Sequence, residues 1–321
     1  MPLHPDIEGF LELVELGRLT GKSQPMHELT PQEARRQFDS TSLLLDSTPV
    51  GQLEVTQLTI PSRDGQQLAA RCYQRAVAEL APRPVLLYFH GGGYVVGSLD
   101  SHDTLCRRLA LAGDFAVVSA DYRLAPEHKF PTAFNDAEDV ALWLLSEGAR
   151  HGLDAARVAL AGDSVGGSLA AALAMRAALM PEQLPLQPRV QVLLYPVLDA
   201  AQERPSLERF AEGYLLEKES LRWFYQLYER EVADRLDWRF SPIYAPLPAQ
   251  LAPTLLWLAE YDPLLDEGLA YAERLRGAGL EISCEIKAGM THDFARMGEV
   301  VGEVPGMLVT LAGLIGERLR G

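Results

Sequence analysis

The stretch from Val158 to Ala174 reads VALAGDSVGGSLAAALA, a strand-like apolar run, a glycine-rich turn and a helix-like apolar run. Three readings of the turn compete. A P-loop places Lys and then Ser or Thr after its second glycine. Here Gly166 is followed by Gly167 and Ser168 with no lysine nearby, so a phosphate cradle is excluded. Neither GDSVGG nor the upstream GGGYVVG of Gly91 to Gly97 has the G-x-G-x-x-G spacing of a dinucleotide loop. What remains is G-x-S-x-G, Gly162-Asp163-Ser164-Val165-Gly166, in the strand, tight turn, helix setting of a nucleophile elbow. Such a turn forces Ser164 into a strained backbone conformation and brings strand and helix close, so side chains at 162 and 166 would clash. A helix starting directly after Ser164 also aims its first amides and its positive dipole end at a developing oxyanion.

Around this stretch the same alternation repeats. VLLYFH, FAVVSADY, RVALAGD, VQVLLYP, TLLWLAE and EISCEIK are short apolar runs of the kind buried on both faces of a parallel sheet. Helical patterns fill the gaps at Asp103 to Ala112, Thr132 to Glu147, Ser164 to Met180, Leu264 to Gly277 and about Glu299 to Leu319. LEVTQLTI and LAARCYQ, joined by PSRDGQQ with its Asp-Gly turn signal, predict an antiparallel hairpin ahead of them. The class is therefore α/β, a doubly wound sheet with helices on both faces. Two segments break the rhythm. Residues 1 to about 50 read as helix and loop, with Ile7, Phe10, Leu11 and Val14 on one helical face. Residues 201 to 243, with FAEGYLLEKESLRWFYQLYER at their centre, interrupt the sheet. They read either as a cover over a site at the carboxyl edge or as an ordinary helical decoration.

Bulk properties narrow the function. A chain of 321 residues, 48% hydrophobic, can bury a large core as one big α/β domain or two smaller ones. The formal net charge of −15 disfavours nucleic acid and anionic membrane as partners. Cys72, Cys106 and Cys284 are few, odd in number and widely spaced, which predicts buried reduced thiols and neither a disulfide framework nor a zinc knuckle. HELTP, from His27, begins like a zinc-protease motif but has Pro31 where the second histidine is needed, so no metal site is expected. The opening MPLHPDIEGFLELVELGRL carries acids and no uninterrupted apolar stretch; neither signal peptide nor membrane anchor is expected, and the expected location is the cytoplasm.

A serine nucleophile needs oxyanion donors, a base and an acid. FHGGGYVVGS, Phe89 to Ser98, follows a strand directly, and a loop free of side chains lets backbone NH groups approach a developing negative oxygen. After Ser164 the only histidine is His292, in AGMTHDF just beyond the strand EISCEIK, so any triad must use it. For the acid, Asp199 in LLYPVLDA and Asp262 in WLAEYDPLLDEG both follow strands. Asp262 is favoured because its strand is later and nearer the histidine loop, although Asp262-Pro263 also looks like a helix cap. Asp266 and Glu267 read as first-turn residues stabilised by the helix dipole.

With these residues assembled, the sequence resembles the hormone-sensitive-lipase-like family of α/β-hydrolase esterases, the bacterial family IV. HGGGYVVGS, DYRLAPEHKFPTAFND, GDSVGG, DPLLDEG and HDF match its motifs in order from about residue 84 to 294. The resemblance implies a mostly parallel, eight-stranded twisted sheet flanked by helices with a helical cap. It divides the chain into cap helices over 1–50, core over 51–200, a cap insertion over 201–243 and core again over 244–321. It implies a carboxylesterase for short or medium acyl chains, with Ser164 as nucleophile, His292 as base and Asp262 as orienting acid. Gly92, Gly93 and Val165 would supply the oxyanion NH groups, with no cofactor, a small ester as substrate and a homodimer left open. A non-catalytic receptor on the same fold, or amide or peptide hydrolysis, stand as alternatives; receptors of this kind lack the histidine. Val165 stands where the family has Ala, and Asp293 where it often has Gly; the charge at 293 is expected to raise the His292 pKa and move the pH optimum upward. Arg123 and Glu127 are expected to support the oxyanion loop structurally.

Overall fold

The computed structural model describes residues 2–46, 51–76 and 82–321. Strands β1 (Leu53–Pro61) and β2 (Gln67–Arg75) form the expected antiparallel hairpin, its turn closed by Ser62 N donating to Gln66 O and by Gly65 at φ 84°. Strands β3 (Arg83–Phe89), β4 (Ala116–Ala120), β5 (Leu153–Asp163), β6 (Val190–Leu194), β7 (Thr254–Tyr261) and β8 (Ile282–Thr291) follow, and all six run parallel. The order across the eight-stranded sheet is β1-β2-β4-β3-β5-β6-β7-β8, with β2 antiparallel to β4.

Side chains alternate through this sheet between two cores. Val85, Leu87 and Phe89 face one, packed under α4 (Thr132–Glu147), α5 (Val165–Leu179) and α8 (Leu265–Gly277). Leu86 and Tyr88 face the other, under α3 (Asp103–Ala112) and α9 (Val304–Arg320). The central helix α5 carries the least polar sequence of these, and twelve of its residues are buried, as a helix apolar on all sides requires. Helix α9 begins later than the expected Glu299 because Pro305 sits in its first turn, where a missing N–H costs nothing.

The two segments outside the rhythm are helical. Residues 2–46 contain α1 (Pro5–Leu19) and α2 (Pro31–Leu45). The HELTP sequence is the lead-in to α2: Thr30 caps it, reciprocally bonded with Glu33, and Pro31 opens it. Between β6 and β7 lie α6 (Pro205–Arg209) and α7 (Lys218–Tyr228). Cys72 and Cys106 are buried as expected, whereas Cys284 on β8 is only half-buried. Among the described residues no helix is long and apolar enough to cross a membrane.

Arg123 does not reach the glycine loop of residues 91–97. Its guanidinium and backbone amide bind the fully buried Asp136 on α4, and it also meets Asp64 of the hairpin turn at 2.6 Å. Removing one partner of such a pair strands the other without compensation. Asp136→Ala should destabilise the fold by about 3 kcal/mol, read as a lower urea midpoint at unchanged slope.

Candidate active site

The elbow is built by close approach. A Cβ at Gly162 would lie 2.2 Å from the Gly166 carbonyl carbon, and one at Gly166 would lie 2.0 Å from Phe89 O. Only hydrogen fits at either place, so β5 can pass directly into α5. Ser164 pays with a left-handed backbone, φ 51° and ψ −124°, held by its amide donating to Leu194 O and its carbonyl accepting from Val197 N. Val165 is the first residue of α5, where amides have no partner inside the helix.

The glycine loop lies beside the elbow. Gly92, Gly93 and Tyr94 all have positive φ, and a Cβ on Gly93 would fall 2.2 Å from Phe224 Cγ. The Gly92 and Gly93 amides meet no acceptor among the described residues. The loop is fastened from below by Asp163, which has no solvent exposure. One carboxylate oxygen accepts from Tyr88 Oη at 2.6 Å and Gly91 N at 3.0 Å, and the other lies 3.2 Å from His102 Nε2. Burial would raise this carboxyl, but His102, Arg296 and Tyr88 together hold it below the usual carboxylate range.

His292 is the first residue beyond β8, and its Nδ1 is 2.7 Å from Asp262 Oδ2. The other oxygen of Asp262 accepts from Leu264 N at 2.9 Å, so its two oxygens satisfy the imidazole and the lead-in to α8 together. Asp199 is engaged elsewhere, by Arg204 at 2.7 Å, Tyr244 Oη at 2.8 Å and the Gln202 amide. Burial works to lower the His292 pKa, but the Asp262 carboxylate, then Asp293 and Asp163, hold it above the ordinary histidine value.

Sequence reasoning missed several neighbours. Tyr195 stands edge-on to the His292 ring at 4.8 Å between centroids. Buried Arg296 donates to Asp293 at 3.0 Å, so the charge at 293 has a partner the sequence reading did not assign, three residues further on. Asp293 itself adopts φ 67°, the conformation for which glycine is the easier choice. Asp266 and Glu267 stand in the first turn of α8 as expected, and each also bonds beyond its own helix. Asp266 accepts from Ser206 N at 2.8 Å, and Glu267 reaches across to Leu198 N at 2.6 Å and Asp199 N at 3.2 Å. Burial, reinforced by Asp199 and Asp262, pushes the Glu267 carboxyl up to about 8 despite those two amides.

Ser164, Val165, Gly92, Gly93 and His292 all line one cavity of about 620 Å³. Its walls are mostly apolar and come largely from Phe10, Leu13 and Val14 of α1, Phe38 and Leu45 of α2, and Leu221, Phe224 and Tyr225 of α7. The face of α1 marked by Phe10 and Val14 thus looks onto the cavity.

The sequence matches the alpha/beta hydrolase fold family over residues 86–296. It is 46% identical over 320 residues to an ethyl acetate hydrolase of Pseudomonas putida, covering 99% of this chain and 100% of that protein. It is 38% identical over 253 residues to the esterase LipI of Mycobacterium tuberculosis, covering 78% of each. Among solved structures it superposes on an ester hydrolase from the metagenome of Lake Arreo, held with a bipyridine phosphonate derivative, at a TM-score of 0.91. That pair shares 33% identity over 99% of this chain and 100% of the other. It also superposes on a hyperthermophilic esterase of the archaeon Pyrobaculum calidifontis at a TM-score of 0.89, with 35% identity over 99% of both. The chain therefore belongs to the alpha/beta hydrolases, in their hormone-sensitive-lipase-like esterase branch, and is an ester hydrolase.

Asp293 supports a positive charge on His292, and an imidazole must be uncharged to take up a proton. Asp293→Gly removes that support, so the His292 pKa falls and the acid limb of the kcat/KM profile shifts to lower pH. Arg296 opposes part of the Asp293 charge, so Arg296→Met should move the same limb upward. Initial rates across pH on both variants check the two signs.

Proposed function

We propose that the chain cleaves small carboxylic esters through a covalent acyl-enzyme, with Ser164 as nucleophile, His292 as base and Asp262 as its orienting acid. One observation carries the reading: the buried 2.7 Å contact from His292 Nδ1 to Asp262 Oδ2, on a histidine that shares its cavity with the strained Ser164. Donation from Nδ1 to the carboxylate leaves Nε2 free to accept a proton. Ser164 Oγ attacks the ester carbonyl as its proton passes to Nε2, and the amides of Gly92, Gly93 and Val165 stabilise the oxyanion. Collapse breaks the carbon–oxygen bond to the alcohol, which takes the proton from His292. Water then attacks the acyl-enzyme with the same base, and the acid is released.

Residues 1–50, of which 2–46 are described, and 201–243 act as a cap, and side chains from the described part line the substrate pocket. Short- to medium-chain acyl groups suit a mostly apolar cavity of about 620 Å³, in which Phe224 comes close to the glycine loop, and ethyl acetate is named for the relative of Pseudomonas putida. The side chain of Val165, larger than the alanine expected there, lies on the same wall.

Ser164→Ala should abolish turnover of a chromogenic acetate ester and its own labelling by a fluorophosphonate; ordinary turnover in that variant would reject the assignment. Asp262→Asn should lose on the order of 10⁴ in rate while Asp199→Asn loses little. The reverse ranking would move the acid to Asp199.

A further inference from the structure

Helix α2 carries a polar row that a simple cover does not need. Arg35, Asp39 and Ser42, with Asp46 at the helix end, recur at i, i+4, i+7 and i+11 and so share one face. Each grips a different part of the core. Arg35 Nε donates to Val95 O and its Nη2 to Ala125 O, both at 2.8 Å, while the same guanidinium holds Glu127 at 2.6 Å. Asp39 accepts from Ser98 Oγ at 2.9 Å. Ser42 Oγ accepts from Arg296 Nη1 at 2.8 Å, and Phe38 lies under that guanidinium at 4.6 Å. Asp46 binds Arg108 of α3 at 2.5 and 3.0 Å.

The gripped atoms converge on the reacting groups. Val95 lies in the far arm of the glycine loop, Ser98 directly follows that loop, and Arg296 holds Asp293, the neighbour of His292. From Ser98 the bonds run on through Ser101 and His102 to Asp163, the residue before Ser164. One rigid helix thus touches the oxyanion loop at one end and the histidine loop near the other.

We infer that α2 is a positioning strut that holds the glycine loop and the His292 loop in register, with Arg35 and Asp39 as positioning residues for ester cleavage. The inference rests on the assignment of Ser164, His292 and the glycine-loop amides made above. Arg35 and Asp39 are not among the residues that line the cavity, so a change there reaches the substrate only through the loops they hold.

The test uses the full-length protein with a short-chain ester. Asp39→Ala, and Ser98→Ala from the other side of the same bond, should each lower kcat about fivefold, the worth of one hydrogen bond expressed in the transition state. KM should stay constant, and fluorophosphonate labelling of Ser164 should slow in proportion. Asp39→Asn keeps an acceptor oxygen for Ser98 and should restore the rate. Arg35→Met should cost more, because it releases both Val95 and Ala125. An unchanged kcat with a lowered Tm would overturn the strut and leave α2 a stabilising element; a raised KM at unchanged kcat would make it a pocket wall instead. A wild-type protein inert toward esters would reject the underlying function, whereas an active wild type with indifferent variants rejects the strut alone.

Discussion

A carboxylate with no access to water must be matched by the protein, and the groups that match Asp163 are the groups that make the site. Its partners come from β3, from the amide of Gly91 and from His102 ahead of α3. Asp163 directly precedes Ser164 in the chain, so satisfying this one buried charge also sets where the glycine loop stands relative to Ser164. In a dry surrounding such bonds are stiff and strong. The elbow and the glycine loop are therefore one unit, although about seventy residues separate them.

The sheet supplies the rest of the positioning. Ser164, His292 and Asp262 all stand just beyond the carboxyl ends of parallel strands β5, β8 and β7, where an open α/β sheet presents its ligands. The helices α1, α2 and α7 then enclose this edge with apolar side chains. Water excluded by those walls strengthens each electrostatic contact inside, including the pairing of His292 with Asp262.

Much of this was legible in the sequence because each cue is local. The glycines at 162 and 166 report a backbone contact a few residues long, and the strands report burial on both faces of a sheet. The α3 and α4 boundaries agree residue for residue. Distance in the chain decided what was hidden. The order of the strands favoured Asp262 over Asp199 as the neighbour of His292, and Asp262 is the one whose carboxylate meets its Nδ1; what Asp199 binds instead lay out of view. Glu267 looks like an ordinary first-turn acid until the segment after β6 is laid against α8, and only then does its reach to Leu198 emerge. The polar face of α2 carries no catalytic signature of its own, because its meaning lies in the four places it touches. Arg296 was hidden for the same reason.

The bond from Arg296 to Ser42 spans 254 residues of sequence. During synthesis Ser42 is made 254 residues ahead of Arg296. The contact between these two stretches therefore waits until residue 296 has been made, and a long apolar sheet is already in existence by then. A nascent chain that stops short of residue 292 carries Ser164 without the imidazole that shares its cavity.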